Sequence, residues 1–247
     1  MITGATAGFG WATAKIFARN GYNIIITGRR KERLTALEKE LEKYKINVLA
    51  LNFDVRNNDE VTSAITSLPD EWKGIDILVN NAGLAVGLGK IDSGIPDDWN
   101  RMIDTNIKGL LFVTREVAPL MVARGKGHIF NIGSIAGKSA YEGGNVYCAT
   151  KSAVDSLTRS MRIDLLKHNI RVTQIAPGMA ETEFSIVRFK GNIEKAKGVY
   201  KGVDALNADD IAEAIWFCAS RPAHVCINDL VITPTQQADV FFTNRRT

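Results

Sequence analysis

A hydroxyl, a phenol and an ammonium fall close together in the stretch I-G-S-I-A-G-K-S-A-Y-E-G-G-N-V-Y-C-A-T-K, as Ser134, Tyr147 and Lys151. The tyrosine and the lysine are four apart, so a helix sets both on one face. An ammonium beside a phenol favours its ionised form and draws a pKa of about 10 toward neutrality. Ser134 lies thirteen residues before the tyrosine, at the end of an apolar run that, as a strand, would deliver it to the mouth of a site. A hydroxyl donor beside an acidic phenol suits redox chemistry at an alcohol or carbonyl oxygen, where a proton must be exchanged. The same spacing also arises on helix surfaces, where a tyrosine packs along a lysine stem. The elements around the three residues must decide between these readings.

Those elements alternate. Apolar runs predict strands over 22–27, 47–53, 75–79, 128–133, 170–175 and 229–233, and amphipathic stretches predict helices over 10–19, 30–44, 58–67, 97–123, 146–167 and 208–220. Runs such as Ile24-Ile25-Ile26 and Ile75-Asp76-Ile77-Leu78-Val79 suit strands covered on both faces. The expected architecture is α/β: one doubly wound domain of Rossmann type around a central parallel sheet of about seven strands. No repeat, low-complexity tract or linker divides the chain. Residues 181–204 break the pattern with charges and glycines, as a lid over a site would. Only Met1 to Thr3 precede the first glycine, where a strand of about five residues is expected. This implies a frayed opening or a missing stub.

Composition narrows the function classes. With 247 residues, 45% hydrophobic and 23% charged, the chain can bury a full core as a single domain. No run is long and apolar enough to span a membrane, and the opening residues lack signal-peptide features, so a cytoplasmic address is expected. The net charge of +4 is small and dispersed, which suits a small anionic ligand better than nucleic acid. Cys148, Cys218 and Cys226 form neither a disulfide framework nor a zinc spacing, and no metal site is expected.

T-G-A-T-A-G-F-G places Gly4, Thr6, Ala7, Gly8, Phe9 and Gly10 at the first strand-to-helix junction. Glycines there let backbone approach a pyrophosphate at a helix N-terminus, although the spacing departs from the usual dinucleotide fingerprint and also fits a simple tight turn. After the next strand, where a carboxylate would hold the ribose hydroxyls of NAD, stand Gly28, Arg29 and Arg30. Cations there attract a 2′-phosphate, so NADP is the expected cofactor.

Six elements in order and register make the chain resemble the short-chain dehydrogenase/reductase family. They are T-G-x-x-x-G-x-G at 3–10, N-N-A-G at 80–83, Asn106, Ser134, Tyr147-x-x-x-Lys151 and Pro177-Gly178. The resemblance implies that Tyr147 is the acid or base, and that Lys151 lowers its pKa and holds the nicotinamide ribose. It implies that Ser134 binds the substrate oxygen, and that Asn106 interrupts its helix and holds a water linking Lys151 to solvent. Asp54 and Val55 would flank the adenine, Asn81, Ala82 and Gly83 would line the cleft, and Pro177, Gly178 and Thr182 would bound the nicotinamide side. Tetramers packed through the two long helices are implied as well.

Further stretches, above all T-E-F-S-I-V-R-F-K-G in the lid, are similar to the NADP-dependent 3-hydroxy acid dehydrogenases that act on serine or allo-threonine. Malonic semialdehyde and 3-hydroxyisobutyrate belong to the same substrate class. Reduction of 3-oxoacyl or other carbonyl compounds is the alternative, and a non-catalytic cofactor-binding scaffold a remoter one. A carboxylate substrate needs a cation, for which Arg188 is the candidate clamp, with pairing to Glu183 or to cofactor phosphates as its other options. The tail 244–247 is either docked or disordered.

Overall fold

The computed structural model describes residues 1–246. Its six named strands are β1 (Ile24–Gly28), β2 (Val48–Asn52), β3 (Ile77–Asn80), β4 (Gly127–Ile132), β5 (Ile170–Pro177) and β6 (Asp229–Ile232). All the pairings between them are parallel, β1 with β2 and then β3-β4-β5-β6 in order. The opening residues join the two groups, because Ile2 bridges both Ile26 and Val79. Its N–H donates to Ile25 O at 2.8 Å, and Thr3 N donates to Val79 O at 3.0 Å. The opening is therefore paired on both sides rather than frayed, because each neighbour supplies a ladder partner. Together the six strands and this segment match the expected sheet.

Alternation along each strand explains the two layers. Ile24, Ile26, Val79 and Phe130 face one core with α1 (Gly8–Arg19), α2 (Lys31–Leu41) and α9 (Ala208–Ala219). Ile25, Leu78, Ile129 and Val172 face the other, with α3 (Asn58–Thr66), α5 (Leu110–Arg124) and α6 (Asn145–Asp164). Successive side chains of a strand point to opposite faces, so a run such as Ile24-Ile25-Ile26 serves both cores.

Most expected boundaries shift by a residue or two. Tyr22 is excluded from β1 because its N–H caps α1 at Phe17 O, 3.1 Å, after Gly21 turns the chain with φ +79°. The expected helix 97–123 is α4 (Pro96–Ile103) and α5 joined by a π-helical turn, Asp104–Gly109. Residues 181–204 hold two short helices, α7 (Glu183–Arg188) and α8 (Ile193–Gly198). Both ends of that segment meet in backbone bonds, Glu181 N to Leu206 O at 2.7 Å and Leu206 N to Met179 O at 2.9 Å. The tail is docked as far as it is described: Arg246 N donates to Gly202 O and its side chain pairs with Asp204. Thr247 lies outside the described residues. No helix among the described residues is long and apolar enough to cross a membrane.

Candidate active site

At the carboxyl ends of the strands opens a cleft of about 460 Å³, running from the glycine loop and Arg29-Arg30 past Asn81–Leu84 to Ser134, Tyr147 and Lys151. A larger space of about 870 Å³ lies at the other end of the sheet, between β1 and β3, and borders none of the proposed chemical groups.

The glycine loop and the N-N-A-G segment are stitched together. Thr3 Oγ1 accepts from Asn81 N and Ala82 N, both at 3.0 Å, and Asn81 Nδ2 donates to Thr3 O and Gly4 O at 2.8 and 3.1 Å. Gly4 and Gly8 adopt φ of +64° and +52°, the left-handed region that costs a side-chain-bearing residue about 1 kcal/mol or more. Helix α1 begins at Gly8, and its N-cap Ala7 offers no side-chain cap, so the first-turn N–H groups are left for a ligand.

At one end of the cleft the cations are paired. Arg30 donates from Nε and Nη2 to Thr6 Oγ1 and from Nη1 to Glu183 Oε2 at 2.9 Å, while Arg33 reaches Glu183 Oε1 at 3.5 Å. Arg29 meets Asp54 at 3.4 Å, but Asp54 is held closer by Arg56, at 2.6 to 3.1 Å. Burial opposes ionisation of Asp54, yet Arg56 and Arg29 together hold its carboxyl below the usual range. Glu183 and Arg33 were not expected here. The sequence suggests Glu183 only as a partner for Arg188, and no spacing joins it to Arg30, 153 residues away.

At the other end stand the chemical groups. Ser134 follows β4, with its Oγ accepting from Ala136 N at 3.1 Å and donating weakly to Pro177 O at 3.4 Å. Tyr147 and Lys151 lie on α6 and are almost wholly buried. Lys151 Nζ donates to Ile132 O at 2.7 Å and stands 5.9 Å from the centre of the Tyr147 ring. Burial lowers the Lys151 pKa to about 8. Burial, with Tyr141 adding to it, pushes the Tyr147 phenol above its ordinary range, against the opposing pull of Ser134 and Arg188. The expected lowering of Tyr147 by Lys151 does not set its pKa here: desolvation penalises the phenolate more than Ser134 and Arg188 reward it.

The π turn carries Asn106, whose side chain is fully buried and committed: Oδ1 accepts from Leu84 N at 2.9 Å, and Nδ2 donates to Leu84 O and Thr150 Oγ1 at 2.8 and 3.0 Å. A methyl on Gly83 would fall 3.4 Å from Asn106 Oδ1 and 3.7 Å from Lys151 Nζ, so glycine keeps a gap open between them. The extra residue of a π turn is the kind of helix irregularity that occurs at functional sites.

Arg188, at the end of α7, pairs with neither Glu183 nor any other carboxylate among the described residues. Its Nη2 donates to Tyr141 Oη at 2.6 Å, its Nε is buried without a partner, and its guanidinium carbon stands 5.6 Å from the centre of the Tyr147 ring. Phe184, also on α7, packs against Tyr147 with ring centres 5.7 Å apart. Tyr141 and Phe184 were missed because nothing in their local sequence marks them. Val55 and Thr182 line the cleft, and Gly10 lies in the first turn of α1, packed close to Asn81.

Residues 1–192 match the family model described as short chain dehydrogenase. The chain is 51% identical over 239 residues to NADP-dependent 3-hydroxy acid dehydrogenase YdfG of Salmonella typhi, covering 96% of this chain and 95% of that protein. It is 46% identical over 239 residues to sulfoacetaldehyde reductase 2 of Chromohalobacter salexigens, covering 96% and 94%. Among solved structures, the closed form of a serine dehydrogenase complexed with NADP+ superposes with a TM-score of 0.94 at 46% identity, covering 100% of this chain and 98% of that one. By the match over residues 1–192 and by these identities along nearly its whole length, the chain belongs to the short-chain dehydrogenase family.

Proposed function

We propose that this protein is an NADP-dependent oxidoreductase that interconverts the C3 hydroxyl and carbonyl of small 3-hydroxy acids such as serine. The observation that carries the substrate class is Arg188: a guanidinium beside the reactive phenol with no carboxylate of its own and a buried, unbonded Nε. A buried N–H without an acceptor is costly, and an anionic substrate that reaches it relieves that cost. The relatives' named substrates point the same way, since 3-hydroxy acids and sulfoacetaldehyde are both anions.

The residues fit the cofactor. The uncapped start of α1 offers N–H groups to a pyrophosphate, and Arg29, Arg30 and Arg33 suit a 2′-phosphate. Gly4, Thr6, Ala7, Gly8 and Phe9 would cradle the phosphates, and Asp54 with Val55 would border the adenine. Asn81, Ala82, Gly83, Pro177, Gly178 and Thr182 would line the rest. When bound, the cofactor gives or takes a hydride.

In reduction Tyr147, kept protonated by burial, hands its proton to the carbonyl oxygen; in oxidation it must first release that proton toward Lys151 and solvent, and the phenolate then takes the proton of the hydroxyl. Ser134 exchanges its long bond to Pro177 for one to the substrate oxygen. Lys151 favours the phenolate formed during the reaction, and the gap kept open by Gly83 toward Asn106 leaves room for a water to return the proton. Residues 181–204 act as the lid, whose α7 brings Phe184 and Arg188 against Tyr147. Exposed Ile163, Leu166, Phe217 and Val231 support self-association, and the free cysteines suit the expected cytoplasmic address.

Replacing Arg188 with Met tests the reading. The specificity constant for serine should fall roughly 10- to 100-fold, as for a charged hydrogen bond lost, while a neutral short alcohol changes by less than about twofold. Equal losses on both substrates would refute it.

A further inference from the structure

We propose that Tyr141 is a specificity-determining residue, one that aims Arg188 at the substrate's anionic group. The inference rests on Arg188 being the clamp, and it adds the group that makes the clamp work.

Tyr141 lies in the loop between β4 and α6, six residues before Tyr147. Its Oη accepts from Arg188 Nη2 at 2.6 Å, and the guanidinium carbon sits 5.4 Å from the Tyr141 ring centre and 5.6 Å from that of Tyr147. Two aromatic rings and one hydroxyl therefore set the orientation of the guanidinium plane. The arginine is fixed at its backbone as well: Gly87 N donates to Arg188 O at 2.8 Å, and the neighbouring Lys190 pairs with the buried Asp98 at 2.8 Å.

The chemistry of the partner matters. A carboxylate in the place of Tyr141 would hold Arg188 as firmly but would neutralise it, and the pocket would then repel an acid. A phenol accepts one N–H and leaves the positive charge uncancelled. Burial keeps Tyr141 in its neutral form by raising its pKa. Its own proton has no acceptor among the described residues, so the same oxygen can also donate to an incoming carboxylate. Tyr141 occupies only Nη2, so Nη1 stays available to that carboxylate, and Nε, buried and unbonded here, becomes so if the lid shifts. Pre-orientation of this kind removes the cost of ordering a long side chain when the substrate binds.

Tyr141→Phe keeps the ring and removes the hydroxyl, and it is compared with Arg188→Met and with the double variant. Kinetics are measured with serine and with a neutral short alcohol, and binding is measured for NADP+ and for malonate as an unreactive acid. For Tyr141→Phe we expect the serine specificity constant to fall about 10-fold, more through KM than kcat, with malonate binding weakened alike. NADP+ binding stays unchanged, which also reports an intact fold. In the Arg188→Met background the same substitution should cost little more, because the two residues act as one unit.

Three outcomes would overturn the role of Tyr141: equal losses on serine and the neutral alcohol, losses that multiply in the double variant, or a Tyr141→Phe protein that keeps its preference for acids while Arg188→Met loses it. If Arg188→Met itself leaves that preference intact, the reading of the clamp fails first.

Discussion

Arg29, Arg30 and Arg33, at the adenosine end of the cleft, are about half exposed and each reaches a carboxylate, whereas Arg188, at the substrate end, has a phenol for a partner and a buried Nε with none. The first arrangement is hydrated, and surface ion pairs of this kind are worth little, about 0–1 kcal/mol each. A phosphate can therefore replace a carboxylate there at small cost. In the second arrangement one donor, Arg188 Nε, is buried without an acceptor, a cost that an incoming anion would relieve. One end is built to exchange counter-ions and the other to lack one, which is why selectivity for an acid should depend more steeply on single residues than selectivity for the cofactor.

The largest effect should come from the chemical group that Arg188 adjoins. Tyr147→Phe should lower turnover by about 10²- to 10⁴-fold while a fluorescence titration with NADPH is unchanged. Retained turnover would detach the substrate end from the chemistry altogether. At the adenosine end, Arg29→Met combined with Arg33→Met should cost NADP+ roughly 10-fold in affinity and NAD+ almost nothing, measured on the protein alone. A loss exceeding that of Arg188→Met on serine would reverse the contrast between the two ends.

A third test concerns burial rather than pairing. Lys151 has a folded pKa of about 8 against an ordinary 10.5, so between pH 8 and about 10 the unfolded chain binds more protons than the folded one. Stability therefore rises with pH across that window as the penalty of the buried ammonium is relieved, by an amount on the order of 2 kcal/mol. Lys151→Met should flatten this slope in chemical unfolding, and an unchanged slope would place the lysine in contact with water. The smallest effect is expected at the lid's contact with the arginines. Glu183→Gln removes a negative charge beside the phosphate site and should tighten NADP+ binding about threefold without altering NAD+. Weaker NADP+ binding would mean that the carboxylate helps hold the lid over the cofactor more than it competes with it.

Much of this was legible in the chain because the signals were local. The alternation of Ile24-Ile25-Ile26 and Ile77–Asn80 with amphipathic helices required a covered parallel sheet, and the four-residue interval between Tyr147 and Lys151 is a helical property. Gly4 and Gly8 stand where the backbone turns left-handed, which few other residues accept. The π turn at Asn106 could be anticipated only through the family pattern, since Asp104 to Gly109 carry no local mark of an extra residue in the turn.

What escaped the sequence lies in contacts between distant segments. Arg30 and Glu183 are 153 residues apart, and Tyr141 and Arg188 are 47 apart. At Tyr147 the four-residue spacing brings Lys151 near, but the burial that raises the phenol's pKa depends on what packs over α6.

By itself, then, the chain determined its layers, its glycine loop and the order of its candidate chemical groups, because periodicity, glycine conformation and helical spacing act over a few residues. Only the tertiary structure decided which arginine is neutralised and which is left waiting. That depends on where α7 docks, and docking brings a carboxylate to Arg30 and a phenol to Arg188.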